Sequence, residues 1–177
     1  MNQPRAFPDE ILILLGEIFV RWSRIEHNLR WLVGLLAEVD PPTGESLFNR
    51  MSMSKLLTTA SELGKIKLNT DDLLALNTWL KTVEGGNVRR NDLVHSQWSY
   101  IQLNDEYVPV KTNLNKEKEK GQYRVSFTTE VEPLIQEVLI LIKKIEEDFL
   151  SLPERLREHK IESDAEGILQ RHRRTLH

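Results

Sequence analysis

The chain has 177 residues, with 24 Lys plus Arg against 27 Asp plus Glu, and no cysteine. A chain of that length buries roughly 70% of its unfolded surface, so one core forms without staples, and disulfides, thiolate metal sites and cysteine nucleophiles are excluded. A net charge of -3 and a pI near 6.0 exclude a uniformly basic nucleic-acid binder.

No apolar run reaches the roughly 18 residues of a membrane span, because Glu17, Arg21 and Arg24 break the first candidate and Lys143 and Lys144 the last. Residues 1–10 carry Arg5 but lead into a charged amphipathic pattern with no signal-peptide core, so no export signal is read. A cytoplasmic protein without a membrane partner is expected, in keeping with the lack of cysteine.

From Ile11 the apolar residues fall at 11, 15, 18, 22, 25, 29, 32 and 36, alternating steps of four and three. That spacing predicts one long amphipathic helix, opened by Pro8 and Asp9 and ended by Asp40, Pro41, Pro42 and Gly44, of about 30 residues and about 45 Å. Two shorter helices are predicted next: 46–63, with Leu56, Leu57, Ala60 and Leu63 on one face, and 71–83, with Leu73, Leu76, Leu80 and Val83 and with Thr70 as N-cap. Glu84, Gly85, Gly86 and Asn87 break the pattern, and 88–98 reads as a further short helix opening with Arg89 and Arg90.

Residues 99–129 change character. Tyr100 and Leu103, then Tyr107, Val108 and Val110, form two strand-like runs joined across Asn104, Asp105 and Glu106, which predicts a hairpin. Tyr123, Val125 and Phe127 alternate as a third strand, and polar residues 115–121 are expected to form a mobile loop. The second long helix carries Val131, Ile135, Val138, Ile142, Ile145, Phe149 and Leu152, with a capping box of Thr129 and Glu132 and with Pro133 in its first turn. Pro153 bends or ends it. The expected architecture is mainly α: an antiparallel bundle of four to five helices with a small inserted antiparallel β ribbon at about 99–129. It forms a single domain over 1–161, followed by a polar tail, 162–177, expected to fray.

There is no phosphate-binding glycine loop, no HExxH, no paired-His zinc spacing and no GxSxG, so neither a metal nor another cofactor is expected. One segment carries chemistry: Arg89-Arg90-Asn91-Asp92-Leu93-Val94-His95-Ser96-Gln97-Trp98. On a helix Asn91 and His95, four apart, share a face, Asp92 borders them, and Leu93 and Val94 supply the opposing buried side. If the Gly-Gly break starts a new helix, Arg90 sits beside the N–H groups and positive dipole end that favour an anion. His exchanges protons near neutral pH and Arg grips phosphate oxygens through two N–H donors, so the set suits a phosphate diester. By spacing alone an Arg and a His on one helix are more often a solvated pair.

Arg90-Asn91-x-x-x-His95 resembles the Arg-x(4 to 6)-His signature of HEPN domains (higher eukaryotes and prokaryotes nucleotide-binding), in which a polar residue commonly follows the arginine. The element order over about residues 9–152 is similar to the HEPN bundle. The resemblance implies a homodimeric, metal-independent endoribonuclease whose two motifs meet in one composite cleft. It gives His95 the part of general acid or base, Arg90 that of stabilising the phosphorane-like transition state, and Asn91 that of orienting His95 or contacting phosphate. Arg89, Asp92 and Trp98 would support them, and the product would carry a 2′,3′-cyclic phosphate. The setting implied is defence, stress or toxin–antitoxin, with an antitoxin as a possible protein partner. The alternative is a non-catalytic dimeric adaptor that binds a protein partner or nucleotide, and in a third reading Arg90 and His95 are incidental to a structural bundle. The 99–129 ribbon departs from the family pattern and either covers the cleft or offers contacts of its own.

Trp22 and Trp79 fall on or beside apolar stripes and are expected in the core, whereas Trp98, three residues past His95, is a candidate wall of the site. Trp31, like the other three tryptophans, is a candidate stacking platform for a base, with core packing the favoured reading. Glu26 and His27 are read as solvated helix surface. Arg171, Arg173 and Arg174 in the tail are weak candidates for RNA phosphate contacts. Leu14, Phe19, Leu35, Leu134, Leu139 and Leu141 flank the main stripes, and a surplus of this kind suits a homodimer interface.

Overall fold

The computed structural model describes residues 8–103, 106–116 and 123–157. Five α-helices and a three-stranded antiparallel sheet appear among them, in the order α1 (Asp9–Leu36), α2 (Pro41–Phe48), α3 (Met53–Lys67), α4 (Thr70–Val94), β1 (Gln97–Leu103), β2 (Glu106–Lys116), β3 (Tyr123–Thr128) and α5 (Val131–Leu150). A short 3₁₀ turn, Glu154–Leu156, follows Pro153, so that proline ends the last helix and does not bend it. The mainly α architecture with its ribbon is as expected. No described helix is long and apolar enough to cross a membrane.

α1 keeps the predicted stripe: Ile11, Ile18, Trp22, Ile25, Leu29, Leu32 and Leu36 are buried. It stops at Leu36, earlier than predicted, because Glu38 takes a positive φ of 56° and turns the chain. Residues read as terminators instead begin α2. The Asp40 carboxylate accepts from Thr43 N at 3.1 Å and Thr43 Oγ1 at 2.7 Å, and Pro41 and Pro42 occupy first-turn positions where a missing N–H costs little. The single helix predicted over 46–63 is accordingly two. Phe48 closes α2 against the core, and Ser52, accepting from Lys55 N, caps α3.

α4 corrects the largest expectation. Gly85 and Gly86 do not break it, and it runs 25 residues to Val94, capped at its start by Asn69 in place of Thr70. Gly86 faces α1 and α5: a Cβ there would stand 2.6 Å from Ile145 Cδ1 and 3.3 Å from Trp22 Cζ3. The second glycine is thus a packing requirement inside a helix. The predicted helix 88–98 becomes the end of α4 followed by β1, with His95 as C-cap.

α1 packs on α3 and α5, and α4 packs on the same two, so four helices close a ring with α2 against α1. Trp22, Trp79 and Leu139 are core residues at 2% exposure or less; Leu139, expected among the surplus flanking residues, is therefore internal. Trp79 Nε1 donates to Ile145 O at 3.0 Å, which pins α4 to α5. α5 begins at Val131 with Glu130 at the N-cap and no side-chain capping bond, so the Thr129–Glu132 box does not form.

The ribbon has order β1-β2-β3, with Gln97 opposite Thr112, Leu103 opposite Glu106 and Lys111 opposite Thr128. Pro109 is tolerated in the middle strand because β3 pairs only from Lys111 onward, leaving that end of β2 an edge. β2 runs on to Lys116, into the expected loop 115–121, whose remainder lies outside the described residues, as does the tail with Arg171, Arg173 and Arg174.

Candidate functional site

The motif sits in the last two turns of α4. Its N-terminal placement is overturned: Arg90 lies near the carbonyl end of a continuous helix, where the dipole favours a cation. Anion attraction at this place comes from side-chain charge and not from the helix dipole.

The buried face of α4 steps through Asp72, Leu76, Trp79, Val83, Gly86 and Leu93, and Arg90 falls on the same progression. Its stem is therefore drawn inward while its guanidinium reaches the rim of the bundle, 5.5 Å over the ring of Phe19 on α1. Asn91 Oδ1 accepts from Arg90 Nη1 at 2.9 Å, and Asn87 Oδ1 accepts from Asn91 Nδ2 at 3.4 Å. Arg90 Nε is buried with no hydrogen-bond partner, and no carboxylate pairs with this arginine among the described residues. The cation is positioned and unneutralised. Asn91, expected to orient His95 or touch phosphate, orients Arg90.

His95 shares a helical face with Asn91 and is exposed; its backbone N–H donates to Asn91 O at 2.9 Å. Arg90 and His95 are five residues apart, about 500° of helix rotation, and so point about 140° apart around α4. Helical spacing thus sets their side chains out in different directions, with Asn91 between them bonded to Arg90.

Asp92 serves the ribbon. Its Oδ2 accepts from Lys111 Nζ at 2.6 Å, and the Lys111 side chain is only 3% exposed while that of Asp92 is 53% exposed. Ser96 Oγ donates to Asp92 O, and Trp98 Nε1 donates to Leu93 O at 3.1 Å. These three bonds lash the start of the sheet to the last turn of α4 and hold the backbone on which His95 stands. Trp98 is half-buried in that join. Arg89 is exposed and lies 3.9 Å from Glu137 of α5, a weak surface pair. Nearby, Arg21 is tied to Glu17 at 2.7 Å and to Glu146 at 2.6 Å; these hydrogen bonds, that to Glu17 foremost, raise its pKa and keep it committed to the α1–α5 join.

Sequence reasoning missed Lys111, since a lysine on a short strand carries no sign of burial. It also missed Phe19 as the platform for Arg90, although it had marked Phe19 as a surplus apolar residue. Phe19 belongs to an exposed apolar face of α1 with Leu12 at 49%, Ile13 at 69% and Val20 at 57% exposure, and around Gly16 an added Cβ would meet nothing within 4 Å. Comparison of the chain with protein-family models, with curated proteins and with solved structures finds no match in any of the three.

Proposed function

We propose that the chain is a HEPN-like, metal-independent endoribonuclease that works as a cytoplasmic homodimer, Arg90 of one copy and His95 of the other acting on one phosphodiester. The observation that carries this reading is the state of Arg90: held by Asn91 and Phe19, paired with no carboxylate among the described residues, at the edge of an exposed apolar helix face. A buried salt-bridge partner would spend that charge, and its lack leaves the guanidinium for a phosphate. The angular separation of Arg90 and His95 supports a site shared between two copies, and the face of Leu12, Ile13, Phe19 and Val20 is a surface on which a two-fold partner can rest, with Gly16 permitting close approach.

In the proposed reaction the His95 imidazole takes the proton of the ribose 2′-hydroxyl, the 2′-oxygen attacks phosphorus, and the P–O5′ bond breaks. The 5′-oxygen takes up a proton from water as it leaves, giving a 2′,3′-cyclic phosphate and a 5′-hydroxyl, and His95 returns its proton to solvent. Arg90 stabilises the charge that builds on the equatorial phosphate oxygens. The internal nucleophile needs no activated water. A defence, stress or toxin–antitoxin setting, with an antitoxin as protein partner, extends the same reading.

The separation of Arg90 and His95 within one chain also favours a second reading, a dimeric adaptor without turnover that uses the α1 face for a protein partner. Labelled single-stranded and structured RNAs incubated in EDTA with the full chain, His95→Ala and Arg90→Ala distinguish the two. Cleavage with cyclic phosphate ends, lost in both variants, is expected. A folded protein that leaves every RNA intact, or a His95→Ala protein that cleaves as well as the parent, contradicts the ribonuclease reading.

A further inference from the structure

Twelve residues beyond Phe19 on α1, about 18 Å along the helix, the chain builds a largely apolar cavity rimmed by charged side chains, away from Arg90 and His95. The end of α1 and the start of α2 enclose about 190 Å³, with Arg30, Trp31 and Gly34 on one side, Asp40 and Glu45 on the other, and the exposed His27 beside them. A cavity of about 150 Å³ accepts benzene, so this one takes a single planar ring system with its substituents and not an extended chain.

The polar groups set the edges of that ring. Arg30 donates to Glu26 across a long 3.3 Å and makes no other side-chain bond among the described residues; its Nε is buried with no partner. Asp40 already accepts from Thr43 N and Thr43 Oγ1, which leaves Glu45, whose carboxylate has no partner among the described residues, as the free acceptor. The start of α2 offers an anion nothing: Pro41 and Pro42 have no N–H, and the next two amides are bonded to Asp40. A ligand here therefore presents two acceptors to a guanidinium, N–H donors to a carboxylate, and a flat face to Trp31.

Guanine has that pattern. O6 and N7 accept a bidentate arginine, while N1–H and the N2 amino group donate together from the adjoining edge. Adenine puts an amino donor where O6 stands and an acceptor where N1–H stands, so both side chains meet the wrong partner. His27 also lines the adjoining open groove with Ser23, Arg24 and Asn28, and Arg24 makes no ion pair among the described residues. The sugar and phosphate of a seated base leave along that groove.

We infer that the α1–α2 cavity binds a guanine base, stacked on Trp31 between Arg30 and Glu45, with its phosphate toward Arg24. The base belongs either to an unpaired position of single-stranded RNA or to a free guanine nucleotide. This inference does not depend on cleavage at Arg90 and His95.

Calorimetric titration of the full chain with GMP, AMP, CMP and UMP tests it, together with two 2′-O-methyl oligonucleotides of equal length, one with a single central G and one with A, which carry no free 2′-hydroxyl and resist cleavage. GMP is expected to bind at least about tenfold more tightly than AMP, a preference that Glu45→Gln and Arg30→Lys each reduce by about tenfold. The G oligonucleotide binds more tightly than GMP if the source is RNA and no more tightly if it is a free nucleotide. Glu45 is exposed, so its variant is expected to fold, and an unchanged melting curve checks this. Equal affinity for GMP and AMP, no heat with any guanine probe, or an undiminished preference in folded Glu45→Gln overturns the inference.

Discussion

Adjacent glycines in α4 have opposite surroundings, so one methyl group added at each position tests the continuous helix on which the candidate site stands. Gly85 is exposed and an added Cβ meets nothing within 4 Å, so Gly85→Ala gains helix propensity of about 0.5–1 kcal/mol without a clash. At Gly86 the same methyl would stand 2.6 Å from Ile145 Cδ1, where contacting carbons prefer about 3.5–4.0 Å, and Trp22 at 3.3 Å blocks relief on that side. Overpacking of a filled core costs about 1–3 kcal/mol, an approach of 2.6 Å puts this site at about 2–3, and propensity returns about 1, so Gly86→Ala is expected to lose about 1–2 kcal/mol net. For a domain of this size the two variants shift Tm by about +2 °C and by about -3 to -6 °C. Urea unfolding with an unchanged m-value is the assay. If Gly85→Ala destabilises, or if both variants move the same way, the chain is not a continuous helix through this point, and the placement of Arg90 on its inner face fails with it.

The Asp92–Lys111 pair predicts an asymmetry. Asp92→Ala strands a buried ammonium and is expected to cost about 2–3 kcal/mol, whereas Lys111→Met removes the charge itself and costs about 1 kcal/mol or less, as urea unfolding of the two variants would measure. Val20→Glu places a charge in the exposed face of α1 and is expected to leave a folded monomer by light scattering, with RNA cleavage lost; a dimer that persists would move the interface elsewhere. Asn91→Ala frees the Arg90 guanidinium and should lower kcat about tenfold with little change in KM, against about 10²–10³ for Arg90→Ala. Equal losses in the two would mean that Asn91 does more than hold the arginine.

Much of the bundle was legible in the spacing of apolar residues. Steps of four and three marked both long helices, and alternation around Tyr100, Val108 and Val125 marked the ribbon, because burial of one face is a local, repeating demand. What failed was punctuation. Gly85-Gly86 and Asp40-Pro41-Pro42 carry two meanings each: glycine ends a helix or lets another helix approach, and proline after aspartate stops one helix or starts the next. Which meaning holds depends on Trp22, Ile145 and Phe48, residues remote in sequence or not readable as contacts. The same limit shaped the site: Asn91 and His95 on one face was local information, but Phe19 beneath Arg90 and Lys111 beneath Asp92 are tertiary contacts that no spacing records.

The central claim, a cleft completed by two copies, is tested most directly by mixing Arg90→Ala with His95→Ala under conditions of subunit exchange. Each variant alone is expected to be inactive. A mixed dimer keeps one Arg90 from one copy and one His95 from the other, so the mixture should regain on the order of a quarter of the parent cleavage rate, since half the dimers are mixed and each retains one of two Arg–His pairs. Mixed dimers that form, as mass measurement shows, and yet cleave no RNA while the parent does would contradict the composite site.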